Sequence, residues 1–112
     1  MDKRERKLRR KRGIRKKIRG TALKPRITVY KSNRHLYAQA VNDQSGTTLS
    51  YSSDFDAGVK CTVENAITIG EKLAGKLLEN NVKEAVFDRN GYRYHGLVKS
   101  VAEGVRKGGV KV

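Results

Sequence analysis

Alternation of apolar and polar positions begins at Arg26-Ile27-Thr28-Val29-Tyr30-Lys31 and resumes over residues 34–41, where Leu36, Ala38 and Ala40 interleave with His35, Tyr37 and Gln39. A period of two carried by β-branched and aromatic residues marks half-buried strands. Ser32-Asn33 turns the chain between these runs, and Asp43-Gln44-Ser45-Gly46 turns it again before a third strand over residues 47–52. The resulting meander is expected to put Ile27, Val29, Leu36, Ala38 and Ala40 on the core. Tyr30, His35, Tyr37 and Gln39 then face outward beside Lys31 and Arg34. After a linker over residues 53–60 the period lengthens to that of a helix from Thr62 to Glu79, with Val63, Ala66, Ile67, Gly70, Ala74 and Leu77 on one side. Asn80-Asn81 fits its end. Val82 to Phe87 is a short apolar strand, and Leu97, Val98, Val101, Ala102 and Val105 mark a second amphipathic helix closing near Gly108-Gly109.

This order, β-β-β-α-β-α, predicts a small α/β domain with a mixed sheet. The three meander strands pair antiparallel, and the fourth strand, reached through a helix crossover, is free to pair in parallel. Roughly 85 residues can bury one modest core.

Charge divides the chain more sharply than hydropathy does. Met1 to Arg26 holds 14 Lys and Arg against Asp2 and Glu5, a net of +12, whereas Ile27 to Val112 holds 12 against 9 acids, a net of +3. Residues 1–24 are therefore read as a basic arm and residues 25–112 as the folded domain. The arm contributes Lys3, Arg4, Arg6, Lys7, Arg9, Arg10, Lys11, Arg12, Arg15, Lys16, Lys17 and Arg19, with Leu8, Ile14 and Ile18 as its larger apolar residues. Like charges three and four residues apart repel, and three aliphatic side chains bury too little to offset that. The arm is expected to be flexible when free and to order as a helix once phosphates neutralise it. Such a charge favours a polyanion, meaning nucleic acid. A membrane-surface helix fits poorly, since the aliphatics form no continuous stripe and no aromatic accompanies them.

Cys61 is the only cysteine, which excludes an intramolecular disulfide and leaves it as a small half-buried apolar residue. One Cys with His35 and His95 far apart falls short of a zinc ligand set, so no metal or cofactor is assigned. No apolar run approaches the roughly 18 residues of a membrane helix, and the N-terminal charges lead into no signal-peptide core. An intracellular protein is expected.

The densest chemistry lies in Val86-Phe87-Asp88-Arg89-Asn90-Gly91-Tyr92-Arg93-Tyr94-His95-Gly96, where a strand breaks into a loop and then starts a helix. Asn90-Gly91 already supplies the tolerance of positive φ that the turn needs. Arg89, Tyr92, Arg93, Tyr94 and His95 exceed what a connection requires. Guanidinium groups fork onto phosphates and stack on bases, and tyrosine offers a flat face and a hydroxyl. Loops leaving the carboxyl ends of strands in open α/β sheets are where ligands tend to sit. One of Tyr92 and Tyr94 is expected to face RNA and the other the core, because alternate residues of an extended segment point to opposite sides.

The basic arm, then Pro25-Arg26-Ile27-Thr28-Val29-Tyr30-Lys31-Ser32-Asn33-Arg34-His35-Leu36-Tyr37-Ala38-Gln39, then Phe87 to Gly96, resembles the bacterial family of ribosomal protein 18 of the large subunit. The match covers nearly the whole chain. Asn90 stands where many members have a second glycine, and Tyr30 where many have phenylalanine. The resemblance implies a structural protein of the cytoplasmic ribosome, monomeric when free, that binds 5S ribosomal RNA and helps attach it to 23S ribosomal RNA in the central protuberance. Its protein neighbours would be large-subunit ribosomal protein 5 and other proteins of the 5S particle. Beside the arm, the RNA-binding set it points to is Arg26, Tyr30, Ser32, Asn33, Arg34, His35, Tyr37 and Gln39 from the first motif and Arg89, Asn90, Gly91, Tyr92, Arg93, Tyr94 and His95 from the second.

Two other classes compete. The element order also resembles the ribonuclease H type of fold, and Asp43, Asp54, Asp56 and Asp88 with two histidines raise a metal-dependent nuclease. Two-metal hydrolysis needs acids converging on one site, yet the inward residues of the first strand, Ile27 and Val29, supply none. Asp88 has a simpler role as an acceptor for loop amides or a partner of Arg89 or Arg93. No phosphate loop or nucleophile elbow is present. A nonspecific DNA-binding architectural protein fits the charge but leaves both aromatic-rich motifs unused.

Overall fold

A computed structural model of the protein describes residues 2–32 and 34–112, excluding the side chains of residues 15–17. The elements run α1 (Lys3–Lys17), β1 (Arg26–Lys31), β2 (Leu36–Asn42), β3 (Thr47–Ser53), α2 (Asp54–Ala57), α3 (Val63–Glu79), β4 (Val86–Asp88) and α4 (Leu97–Lys107). Four strands form one sheet in the order β3-β2-β1-β4. β1 pairs antiparallel with β2, Ile27 opposite Ala40 and Val29 opposite Ala38, and β2 pairs antiparallel with β3. β4 lies parallel to β1, with Phe87 beside Ile27 and Asp88 beside Thr28. This is the mixed sheet that the sequence predicts.

The core face is the expected one: Ile27, Val29, Leu36, Ala38 and Ala40 are all fully buried, and α3 and α4 lay Ala66, Ile69, Leu73, Leu77, Val98, Val101 and Val105 into the same cluster. Thr62 caps α3 by accepting the Asn65 amide at 3.2 Å. The two helices cross in close contact because each presents a glycine to the other. A Cβ on Gly104 would fall on the backbone carbonyl of Ile67, and one on Gly70 would fall on that of Val101. Backbone cannot step aside as a flexible side chain can, so Gly104→Ala must spread the helices. It is expected to cost about 1 to 3 kcal/mol, the range for overpacking a core, read as a lower urea midpoint at unchanged m-value.

Three boundaries depart from the sequence reading. Residues 53–60, expected as a linker, contain the one-turn helix α2: Ser53 accepts the Asp56 amide at 3.0 Å, Asp54 and Asp56 occupy the first turn, and Gly58 ends it in the left-handed region. The second strand starts at Leu36 instead of Arg34, because the turn keeps Arg34 and His35: the Ser32 amide donates to the His35 carbonyl at 2.8 Å, and the His35 amide donates to Ser32 Oγ at 3.2 Å. The fourth strand is shorter than Val82–Phe87, and Glu84 forms a separate parallel bridge with Lys111.

Candidate nucleic-acid interface

The loop after β4 is built on Asp88, whose carboxylate is fully buried. Its Oδ1 accepts the Asn90 amide at 2.8 Å, and its Oδ2 accepts Arg26 Nη1 at 2.6 Å. Arg26 extends outward from the sheet face opposite the core and also forks onto Asp43, Nε to Oδ2 at 3.0 Å and Nη2 to Oδ1 at 3.1 Å. Asp43 Oδ2 further accepts the Gly20 amide at 2.6 Å, and the Gly20 carbonyl accepts the Asp43 amide at 3.1 Å. Gly20 lies so close to Arg26 and Val41 that a Cβ there would meet backbone atoms of both. The end of the arm is thereby pinned over β1 and β2, and the outward face of β1 is covered at Arg26 and Thr28.

This arrangement bears on the sequence reading at Arg26, Asp88, Asn90 and Gly91. Arg26 is buried, and its guanidinium is held by Asp43 and Asp88. Asp88 accepts a loop amide, that of Asn90, as expected, and its charge partner is Arg26, neither Arg89 nor Arg93. Asn90 is buried as well: Nδ2 donates to the Val29 carbonyl at 2.9 Å, and its φ of 54° beside 77° at Gly91 makes the sharp turn. Gly91 is covered by α1, where a Cβ would press on the Lys7 carbonyl oxygen and side chain. Both residues are buried here and shape the loop from beneath.

The arm forms the helix α1 and docks on this loop, a contact with no counterpart in its charge pattern. Asp2 caps α1 by accepting the Glu5 amide at 2.8 Å. Among the described side chains of residues 2–19, Lys7, Lys11, Ile14 and Ile18 are the half-buried positions, spaced four, three and four apart. The aliphatics alone make no stripe; the half-buried lysine stems complete it. Lys7 Nζ sits 3.6 Å from the centre of the Tyr92 ring, and Arg10 Nε donates to the Gly91 carbonyl at 3.1 Å. Lys3, Arg4, Arg6, Arg9, Arg10, Arg12 and Arg19 are exposed. Asn33 and the side chains of Arg15, Lys16 and Lys17 lie outside the described residues.

Tyr92 joins the arm to the sheet. Its ring packs partly against the core, and its hydroxyl bridges the backbone of Lys31, 3.3 Å from both the amide and the carbonyl. Burial pushes the phenol up, but Lys7 and Lys31 outweigh it and hold it below the usual tyrosine value. Beyond it, Tyr30, Lys31, Ser32, His35 and Tyr37 share one hollow of about 180 Å³ with Tyr92. Tyr30 and Tyr37 stack at 4.9 Å with planes 16° apart. His35 Nδ1 lies 3.1 Å from Asp54, which also accepts the Leu36 amide at 3.2 Å. Burial would raise the Asp54 carboxyl, yet the Leu36 amide and His35 together hold it below the usual carboxylate range.

On the loop, Arg93, Tyr94 and His95 are exposed. Arg89 Nη1 donates to the Tyr92 carbonyl at 3.0 Å. Tyr94 stands edge-to-face with Phe87 and accepts Arg106 Nη1 at 2.9 Å. Arg34 and Ser32 are exposed in the hairpin turn, and Gln39 is half-buried in β2. Arg106, well beyond the second motif in the chain, is the residue that sequence reasoning missed; only its place in the last turn of α4 brings it beside Tyr94.

Where two carboxylates converge, at Asp43 and Asp88, an arginine fills the space a metal would need. Among the described residues no group of three or more His, Cys, Asp or Glu side chains is placed to hold a metal ion, and no helix is long and apolar enough to cross a membrane. A small mixed-sheet α/β domain with a cationic helix laid against an aromatic loop is the class that these elements define. A family model described as ribosomal L18 of archaea, bacteria, mitochondria and chloroplasts matches residues 1–112. The large ribosomal subunit protein uL18 of a Nitratiruptor species is 50% identical over 104 residues, 93% of this chain and 88% of that protein. Those of Oleidesulfovibrio alaskensis and Staphylococcus aureus are 45% and 44% identical, each covering 99% of this chain and 98% and 96% of their own length. The chain belongs to the ribosomal L18 family. It is by family a structural protein of the large ribosomal subunit and not an enzyme.

Proposed function

We propose that the chain binds 5S ribosomal RNA and helps fasten it to 23S ribosomal RNA in the central protuberance, entering as a monomer beside large-subunit ribosomal protein 5 and other proteins of the 5S particle. The observation that carries this reading is the docking of α1 on the loop through Lys7 and Tyr92, with Tyr92 in turn bonded to Lys31. It joins the outward cations of the arm, residues 1–24, to the stacked tyrosines and the loop cations of the domain, residues 25–112. Cations held in a row track phosphates, while flat rings and an exposed guanidinium read unpaired bases and shape. The RNA-contacting set is then the exposed arm cations with Tyr30, Ser32, Arg34, His35, Tyr37, Arg93, Tyr94 and His95.

Competition among 5S ribosomal RNA, generic duplex RNA and DNA at one fixed salt concentration tests this, since affinity without stated salt does not discriminate. The 5S RNA is expected to win. Arg93→Ala is expected to weaken 5S binding by about 1 to 3 kcal/mol, the loss of a charge-assisted hydrogen bond, while thermal stability scarcely changes. Equal binding to all three competitors, or normal 5S binding by the folded variant, would place recognition elsewhere.

A further inference from the structure

At the C-terminal end of α1, Ile14 and Ile18 meet Phe87, Arg89, Tyr94 and Arg106 around a cleft of about 260 Å³. Its floor is aliphatic and aromatic, its walls carry two guanidinium groups, and no carboxylate among the described residues lines it. Tyr94 is 42% exposed, so part of its ring stays open at the mouth. Arg106 is held in place from two directions, Nη1 to the Tyr94 hydroxyl at 2.9 Å and Nε to the Val112 carbonyl at 3.4 Å, which uses two of its five N–H groups. The cleft is smaller than the roughly 300 to 1,000 Å³ of pockets that take drug-sized ligands. It suits one flat ring system with an anion at the rim.

We propose that this cleft holds a single unstacked base of the bound RNA, its ring against Tyr94 and Phe87 and its phosphate on Arg106 and Arg89. The inference rests on the RNA-binding reading above and adds to it a subsite that draws on α1 and α4 as well as the loop. A duplex base keeps its faces covered by its neighbours, so the occupant is an unpaired nucleotide. Stacking on an aromatic ring tolerates any base, and the guanidinium groups recognise only the phosphate, so the subsite selects for looped-out geometry and not for base identity.

The test is base-resolved chemical probing of 5S ribosomal RNA bound to the full chain, with affinities measured in the same salt, for the wild type and for Arg106→Gln, Tyr94→Leu and Tyr94→Phe. The wild type is expected to shield one unpaired base that Arg106→Gln and Tyr94→Leu each uncover. Affinity should fall about 10-fold in both variants, the order expected for one stacked base, and the rest of the footprint should persist. Tyr94→Phe keeps the ring and should keep the protection. A wild-type footprint confined to paired nucleotides, or an unchanged footprint and affinity in all three variants, overturns the subsite and leaves the RNA-binding reading standing. No wild-type footprint at all overturns both.

Discussion

Arg26→Ala is expected to remove about 3 to 5 kcal/mol of folding stability, the usual result of taking away one partner of a buried charge pair. The side chain of Asp88 has no exposure and that of Asp43 about 10%, and the Arg26 guanidinium lies between them. Without it, the Asp88 carboxylate keeps its burial but loses this ion pair, and the Gly20 anchor on Asp43 loses the guanidinium that orients its acceptor. Urea denaturation at neutral pH measures the loss. Arg26→Lys should recover only part of it, because an ammonium cannot fork onto Asp43 while also reaching Asp88. The outcome separates two roles of the same residue: an RNA-contacting arginine would cost affinity at unchanged stability, and here the order is reversed.

Removing residues 1–19 is expected to lower affinity for every polyanion and to flatten the salt dependence. Lys3, Arg4, Arg6, Arg9, Arg12 and Arg19 are exposed along α1 and just beyond it, where their charge faces solvent. If each meets a phosphate, the slope of log K against log salt should fall by roughly 4 to 5, at about 0.7 to 0.9 per contact. The preference for 5S RNA over generic duplex should survive, since Tyr30, Tyr37, Arg93 and Tyr94 remain. Salt-titrated binding of the truncated and full chains gives both numbers. If the truncated domain binds all RNAs alike, then the arm creates selectivity by its contact with Tyr92 and Gly91. The same contact sets what the free protein should look like. A docked α1 shows hydrogen-exchange protection over residues 3–17, whereas an arm that orders only on RNA shows none.

Much of this architecture is written in short-range patterns. The period of two in residues 26–41 assigns Ile27, Val29, Leu36, Ala38 and Ala40 to the core, and all are buried there. The longer period from Thr62 finds α3, and Asn90-Gly91 announces a left-handed turn that both residues adopt. The arm cations stand out in the sequence alone. The one-turn helix α2 was legible too, in a serine cap, two acids and a glycine stop, but a four-residue element is too short for periodicity to reveal.

What neighbours in the chain specify, the sequence by itself determined: strand parity, helix period, turn conformation and the uneven spread of charge each depend on residues a few positions apart. Which polar side chains are engaged inside the protein and which stay exposed was decided only by the tertiary structure. Arg26 sits in a motif full of candidate RNA contacts, yet it is consumed by Asp43 and Asp88, 17 and 62 positions away. Lys7 meets Tyr92 from the opposite end of the chain, and Arg106 reaches Tyr94 from the last turn of α4. A charged group is stabilised by whatever opposite charge or ring lies within a few ångströms, and that distance is set by the folded chain, whatever the spacing along it.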